Sequence, residues 1–268
     1  MMLYALISCL VFLFILRFLY LGLSIKRFKI ATTNFGNKKN DPLVIQKEKE
    51  CLIIVTDPVG AGRTGDLACL IAKEKIANQY ATSIANISPA DFLKKACFLA
   101  HRGISEQMNA NSGGCSIALI YINKKQLSYA SVGDIGIYLC EDELKLINQF
   151  DLYKYQLRGR VLERKMNEER LLNNRLRNEL TAYLGHENLT KVNLNIEPLK
   201  LHKSNKLFIA TKDVYDAITP LALEAIILQS SSVFSNKIER LEMVYHEQKQ
   251  AKEKRPSTAS AVLISHFK

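Results

Sequence analysis

The apolar positions of this chain fall into short strand-length runs and longer stretches at helical spacing. Residues 51–56, 115–122, 127–132, 136–140, 206–211 and 260–267 are runs rich in Ile, Val, Leu and Tyr, the pattern of buried strands. Shorter strand signals sit at 43–46, 144–147 and 192–201. Leu67, Leu70, Ile71 and Ile76 recur near helical spacing, so 66–80 predicts a helix with Asp66 in its first turn. A second helix is expected over 89–108, with Ser88 as its N-cap. Residues 151–184, 221–229 and 237–254 also read as helical, and 214–217 as a turn or short helix.

The strands between 115 and 147 are joined by hairpin-length turns at 123–125 and 141–143. They form an antiparallel meander, and the helices fall in pairs between strand groups. That order predicts an α+β fold with helix pairs covering antiparallel sheets. Three strands run into an aspartate: Asp57, Asp134 and Asp213. Strand ends that carry carboxylates can converge and build a cation site. Lys212 stands beside the third, where such a site wants another acid.

Residues 1–25 change the picture. Met1 to Leu16 are uncharged and mostly Leu, Phe, Ile and Val; Arg17 interrupts, and Phe18 to Ile25 continue the run. The total is about the 20 residues needed to cross a bilayer, and Arg17 is placed to snorkel. The runner-up, a cleaved leader, wants a basic start, which is missing here, and a small-x-small site, which is poor. We expect an uncleaved transmembrane anchor over 1–25, a juxtamembrane linker over 26–42 and a folded domain over 43–268. Lys26, Arg27 and Lys29 follow the apolar run, which by the positive-inside rule puts a single-pass protein's C-terminal domain in the cytoplasm.

A net charge of +11 admits nucleic acid or an anionic membrane surface as partner. The basic residues are mixed with Glu and show no aromatic-interleaved stripe, so no nucleic-acid role is expected. The six cysteines form no C-x-x-C pair and read as buried thiols, neither a zinc nor a disulfide framework. The five histidines have no ligand spacing, and Ser112, Ser116 and Ser131 have no visible partner for nucleophilic catalysis.

Gly60-Ala61-Gly62-Arg63-Thr64-Gly65 is a literal G-x-G-x-x-G between a strand and a helix. Asp57, Pro58 and Val59 intervene where a dinucleotide fingerprint wants a tight turn, and no acid-ended strand follows the helix. Asp66 stands where a phosphate-binding loop needs Lys.

The better reading centres on Asp57. Its strand–turn–helix setting resembles the Asp-Gly-x-Gly-Gly turn of the protein phosphatase 2C (PPM) family. Ser112-Gly113-Gly114-Cys115 resembles that family's Gly-Thr-Thr strand opening, and Ala130-Ser131-Val132-Gly133-Asp134-Ile135-Gly136 its Ala-x-Val-Gly-Asp-Ser-Arg segment. Asn178-Glu179-Leu180-Thr181 through Gly185, Leu207 to Ile218, and Ser257 to Ile264 are similar to the later motifs, in the right order. The resemblance covers roughly 30–267. It implies a four-layer αββα sandwich and, for active members, two bridged Mg²⁺ or Mn²⁺ ions that acidify a water to attack phosphoserine or phosphothreonine.

Carried over residue by residue, Asp57 keeps the bridging carboxylate, and Pro58 keeps a backbone carbonyl at a ligand position. Asp134 and Asp216 match positions that help hold a further, weaker metal. Lys212 falls at the central metal-binding acid, and Ser257 at the acid of the last Asp-Asn pair. Asn40-Asp41 is the candidate for the N-terminal acidic ligand, and Lys38 or Lys39 for a phosphate-gripping Arg. Two carboxylates are gone and an ammonium is added, a shift of about three charge units against a dication. The resemblance thus implies a membrane-anchored pseudophosphatase. Catalytic residues and metal cofactor are expected to be absent, and a phosphoprotein or regulatory partner is expected. The alternatives are a working Mg²⁺/Mn²⁺ Ser/Thr phosphatase with an altered site, and a nucleotide-binding protein using residues 60–65.

Overall fold

The computed structural model describes residues 28–35, 40–47, 49–60, 62–83, 87–108, 113–229, 234–250 and 259–265. Two antiparallel sheets stack face to face. One has the order β1 (Lys29–Asn34), β11 (Ser260–Ser265), β10 (Lys206–Ala210), β6 (Gly136–Cys140), β7 (Leu144–Leu146). The other runs β2 (Leu43–Gln46), β3 (Glu50–Val59), β4 (Gly114–Asn123), β5 (Gln126–Val132), β8 (Asn193–Leu194), with β9 (Leu199–Lys200) also on β5.

The period of two explains the layers. Along β4, Ala118, Ile120 and Ile122 point between the sheets, where they meet Ile137, Leu207, Ile209 and Val262. Cys115, Ile117, Leu119 and Tyr121 point the other way, under helices α1 (Arg63–Ser83) and α2 (Pro89–Gln107). On the first sheet, Phe208, Ala210, Ala261 and Leu263 face α6 (Pro220–Leu228) and α7 (Phe234–Gln250). Both faces of β3, β4, β10 and β11 are covered, which is why these strands read as continuous apolar runs. The expected αββα sandwich is the observed arrangement.

Several elements differ from the sequence reading. Residues 29–34, expected in the linker, form β1 and pair with β11 from Lys29↔Ser265 to Asn34↔Ser260. Its polar residues suit an edge strand and hid it. β3 runs on through Asp57 and Pro58 to Val59, past the expected turn. Its partner β2 stops opposite Ile54, so the prolyl nitrogen leaves no gap on that side. Residues 151–184 hold only two short helices, α3 (Tyr153–Leu162) and α4 (Glu168–Leu172). Leu157 is the one buried residue of α3, and α4 buries none, so no apolar face rewards a long helix. The segment doubles back instead: the N–H of Tyr153 donates to Glu179 O at 3.0 Å, and that of Thr181 to Asp151 O at 2.9 Å.

Among the described residues no helix is long and apolar enough to cross a membrane. Residues 1–25, expected to do so, lie outside them, as do Lys38, Lys39 and Ser257.

Candidate active site

Three strand ends meet at one edge of the sandwich. β3 carries Asp57 opposite Ser116 of β4. β5 ends at Val132 and hands over to Asp134; β10 ends at Ala210 and hands over, through Thr211, to α5 (Lys212–Ala217). Asp57, Pro58, Val59, Gly60, Gly62, Asp66, Ser116, Asp134, Leu180, Lys212 and Asp213 line a cavity of about 550 Å³ there.

Asp134 is the most deeply set acid, with 5% of its surface exposed. Burial pushes its carboxyl above the usual carboxylate range; the Ser116 hydroxyl and the Lys212 ammonium oppose that shift, and Asp216 adds to it. Ser116 Oγ donates to Asp134 Oδ1 at 2.9 Å. The serine therefore has a carboxylate partner that the sequence did not reveal, although among the described residues no histidine lines the cavity beside it. Tyr215 donates its hydroxyl to the Asp134 carbonyl at 2.7 Å and stacks on Phe150 with ring centroids 5.5 Å apart.

Lys212 is half-buried in the first turn of α5, on the cavity wall with Asp57 and Asp134. Lys154 stands nearby. Burial chiefly lowers its affinity for a proton, Lys212 and Arg177 add to that, and Asp216 opposes. Asp216 itself is exposed on α5, and its charge is felt by Asp134 from outside the cavity lining. The Asn40-Asp41 pair divides. Asn40 Nδ2 donates to Asp66 Oδ1 at 3.0 Å, at the cavity wall, whereas the exposed Asp41 accepts from Asn34 Nδ2 at 2.7 Å.

The residues present do not fit the family's dinuclear centre. Lys212 stands on the cavity wall where the resemblance expects an acid, and among the described residues no three His, Cys, Asp or Glu side chains converge to hold a metal ion. Asp57 and Pro58 line the cavity together with Asp66, Asp134 and Asp213. The nucleotide reading loses its frame. β3 and β4, which bracket α1 and α2, are antiparallel, so no parallel βαβ unit surrounds residues 60–65. Asp57 and Asp66 also flank the loop, with charges that repel a pyrophosphate.

Asp66 and Leu180 line the cavity without having been singled out as site residues; Asp213 lines it as well. For Asp213 the signal was visible as the third strand-end aspartate. For Asp66 a helix first turn was explanation enough.

No protein-family model matches the chain. A serine/threonine phosphatase, stp, of Listeria innocua is 23% identical over 210 residues, covering 75% of this chain and 81% of that protein. The serine/threonine phosphatase of S. agalactiae superposes with a TM-score of 0.72 at 16% identity, over 89% of this chain and 99% of that one. The catalytic domain of the serine/threonine protein phosphatase PstP, solved with two manganese ions, superposes at 0.66 and 15% identity, over 89% and 97%. The chain thus shares the fold of serine/threonine phosphatases of the protein phosphatase 2C (PPM) type. Within that family's fold, its cavity carries Lys212 among the carboxylates.

Proposed function

We propose that this chain of PPM-type fold is a pseudophosphatase: a binding or regulatory module of phospho-signalling that does not hydrolyse phosphate esters efficiently. The observation that carries this reading is Lys212 on the wall of the cavity shared with Asp57 and Asp134. A tethered ammonium supplies positive charge to the buried Asp134 without a metal and repels an incoming dication.

We also propose that residues 1–25 anchor the protein in a membrane with the domain in the cytoplasm. β1 starts at Lys29, paired with Ser265, and ends at Asn34, paired with Ser260. Ala210 and Gly136, which lead into the cavity, lie at the Asn34 end of the same sheet. The chain thus enters the sheet at the end remote from the cavity, and an anchor there leaves the cavity facing away from the bilayer, open to a protein partner.

The second reading, an active Mg²⁺/Mn²⁺ phosphatase, draws on relatives named as Ser/Thr phosphatases, one of them solved with two manganese ions. One experiment separates the two. The full-length protein in detergent micelles is assayed for p-nitrophenyl phosphate hydrolysis with Mn²⁺. We expect no turnover above the detergent blank; turnover that Asp57→Asn abolishes establishes the active enzyme instead.

A further inference from the structure

The end of the sandwich opposite the cavity carries a basic rim. There β3 starts at Glu50, β4 ends at Asn123 and β5 starts at Gln126. Three loops meet at this end. The N–H of Lys124 donates to Lys49 O at 2.9 Å, and that of Leu201 to Lys125 O at 2.7 Å. Residues 47–50, 124–125 and 200–203 together hold six Lys and two Glu, one of them Glu48, which lies outside the described residues. Lys47 is engaged: it pairs with Glu50 at 3.0 Å and sits 4.4 Å from the centre of the Tyr80 ring. Lys49, Lys124, Lys200 and Lys203 are exposed and Lys125 is half-buried. Among the described residues none of these five forms an ion pair. The acidic turn Glu141-Asp142-Glu143 bounds the rim on the β6–β7 side, where Glu141 accepts from Asn205 Nδ2 at 3.0 Å.

The path of the chain decides what this rim meets. Residues 201–203 lead into β10 at Lys206, and Leu207 pairs with Ile264, next to the Lys29–Ser265 pair. Lys29 therefore opens β1 at the same end, two strands from β10, a distance of roughly 10 Å. Ile25, the last residue of the apolar run, is four steps before Lys29. Four extended residues reach at most roughly 14 Å. An anchor over 1–25 thus ties this end of the domain close to the headgroups, on the scale of the screening length of about 8 Å at physiological salt. Excess positive charge at that range is drawn to an anionic leaflet. An acidic protein partner would have to enter the gap between domain and bilayer.

We infer that the rim of Lys49, Lys124, Lys125, Lys200 and Lys203 is a contact surface for anionic phospholipid headgroups and seats the domain on the bilayer with its cavity outward. This rests on the reading of residues 1–25 as an anchor and is independent of whether the cavity hydrolyses phosphate esters. The anchor alone leaves the domain free to tilt about the short link. The rim adds a second point of attachment, one that responds to the charge of the lipid.

Lysine footprinting tests this on the full-length protein in nanodiscs of phosphatidylcholine, alone or mixed with phosphatidylglycerol. A water-soluble reagent acetylates exposed amines, and mass spectrometry reads the rate at each lysine. Lys49, Lys124 and Lys203 should react at least about threefold more slowly on the anionic discs, and high salt should remove the difference. Lys165, on the 151–184 segment that brings Leu180 to the cavity wall, should react alike on both. Lys124→Glu combined with Lys203→Glu, checked by its melting curve, should return Lys49 to its rate on neutral discs. Equal rates at the rim on the two kinds of disc, or slowing of Lys165 as large as that of the rim, overturns the inference. Alkaline extraction from phosphatidylcholine vesicles tests the anchor separately, and release of the protein overturns that reading. The released protein should still float with phosphatidylglycerol vesicles and not with phosphatidylcholine; flotation with neither overturns the rim as well.

Discussion

Asp151 grips both backbone polar groups of Gly133. The Gly133 N–H donates to Asp151 Oδ2 at 2.8 Å, and the Asp151 N–H donates to the Gly133 carbonyl at 2.9 Å. This two-way clamp fixes the turn that delivers Asp134 to the cavity. Gly133 itself has φ +98°, and a Cβ there would lie 2.2 Å from Ser116 Oγ and 2.6 Å from Ser116 Cβ. The turn is therefore built against the serine that supports Asp134.

Gly133→Ala should consequently be among the most destabilising single-methyl additions in the chain. Left-handed backbone strain of about 1 kcal/mol adds to an overpacking penalty of about 1–3 kcal/mol. Urea unfolding should show a loss of roughly 3 kcal/mol. Gly159→Ala is the control: it lies in α3 with nothing within 4 Å of a new Cβ, and helix propensity should make it neutral or stabilising by up to about 1 kcal/mol. Equal effects at the two positions would mean that the 133 turn is not constrained as described.

Asp134 and Asp151 are both pushed above the usual carboxylate range, chiefly by burial. A carboxyl whose folded pKa exceeds its unfolded one binds more protons when folded, so this contribution falls as pH rises from about 4 toward neutrality. Asp134→Asn keeps an acceptor for Ser116 and removes the buried charge. It should raise the melting temperature at pH 7 by about 2–4 °C for each kcal/mol recovered and flatten the decline between mildly acidic and neutral pH. A variant melting lower, with an unchanged pH slope, would show that Asp134 is no electrostatic burden.

The sheets were legible because their strands are covered on both faces and advertise it as unbroken apolar runs, as in 115–122 and 206–211. β1 was not, because Lys29, Thr32 and Asn34 at a sheet edge look like a linker. The reading of 151–184 as helical failed because leucine and arginine propensity said nothing of a chain that folds back through Tyr153–Glu179 and Lys154–Arg177 backbone bonds. At the site, Asp57, Asp134 and Lys212 were legible from strand ends and motif order. The Ser116–Asp134 bond and the Asp151 clamp were not, because both depend on long-range register.

The Lys212 substitution has a reversal that tests its place in the cavity. Lys212→Asp changes the local charge by about two units, and at 4 Å with an effective dielectric constant near 20 each unit is worth roughly 4 kcal/mol against a cation. Adding Ser257→Asp supplies the other acid that the PPM resemblance expects. Calorimetry should show Mn²⁺ affinity at least about a hundredfold above the parent protein in the double variant. Lys212→Gln, which removes repulsion without adding a ligand, should fall between. The ordering matters more than the size: a ligand position gains from Asp beyond what Gln gives, whereas a merely nearby charge gains almost as much from Gln. If Asp and Gln behave alike, Lys212 does not stand at a metal-ligand position, and the electrostatic basis for a pseudophosphatase fails with it.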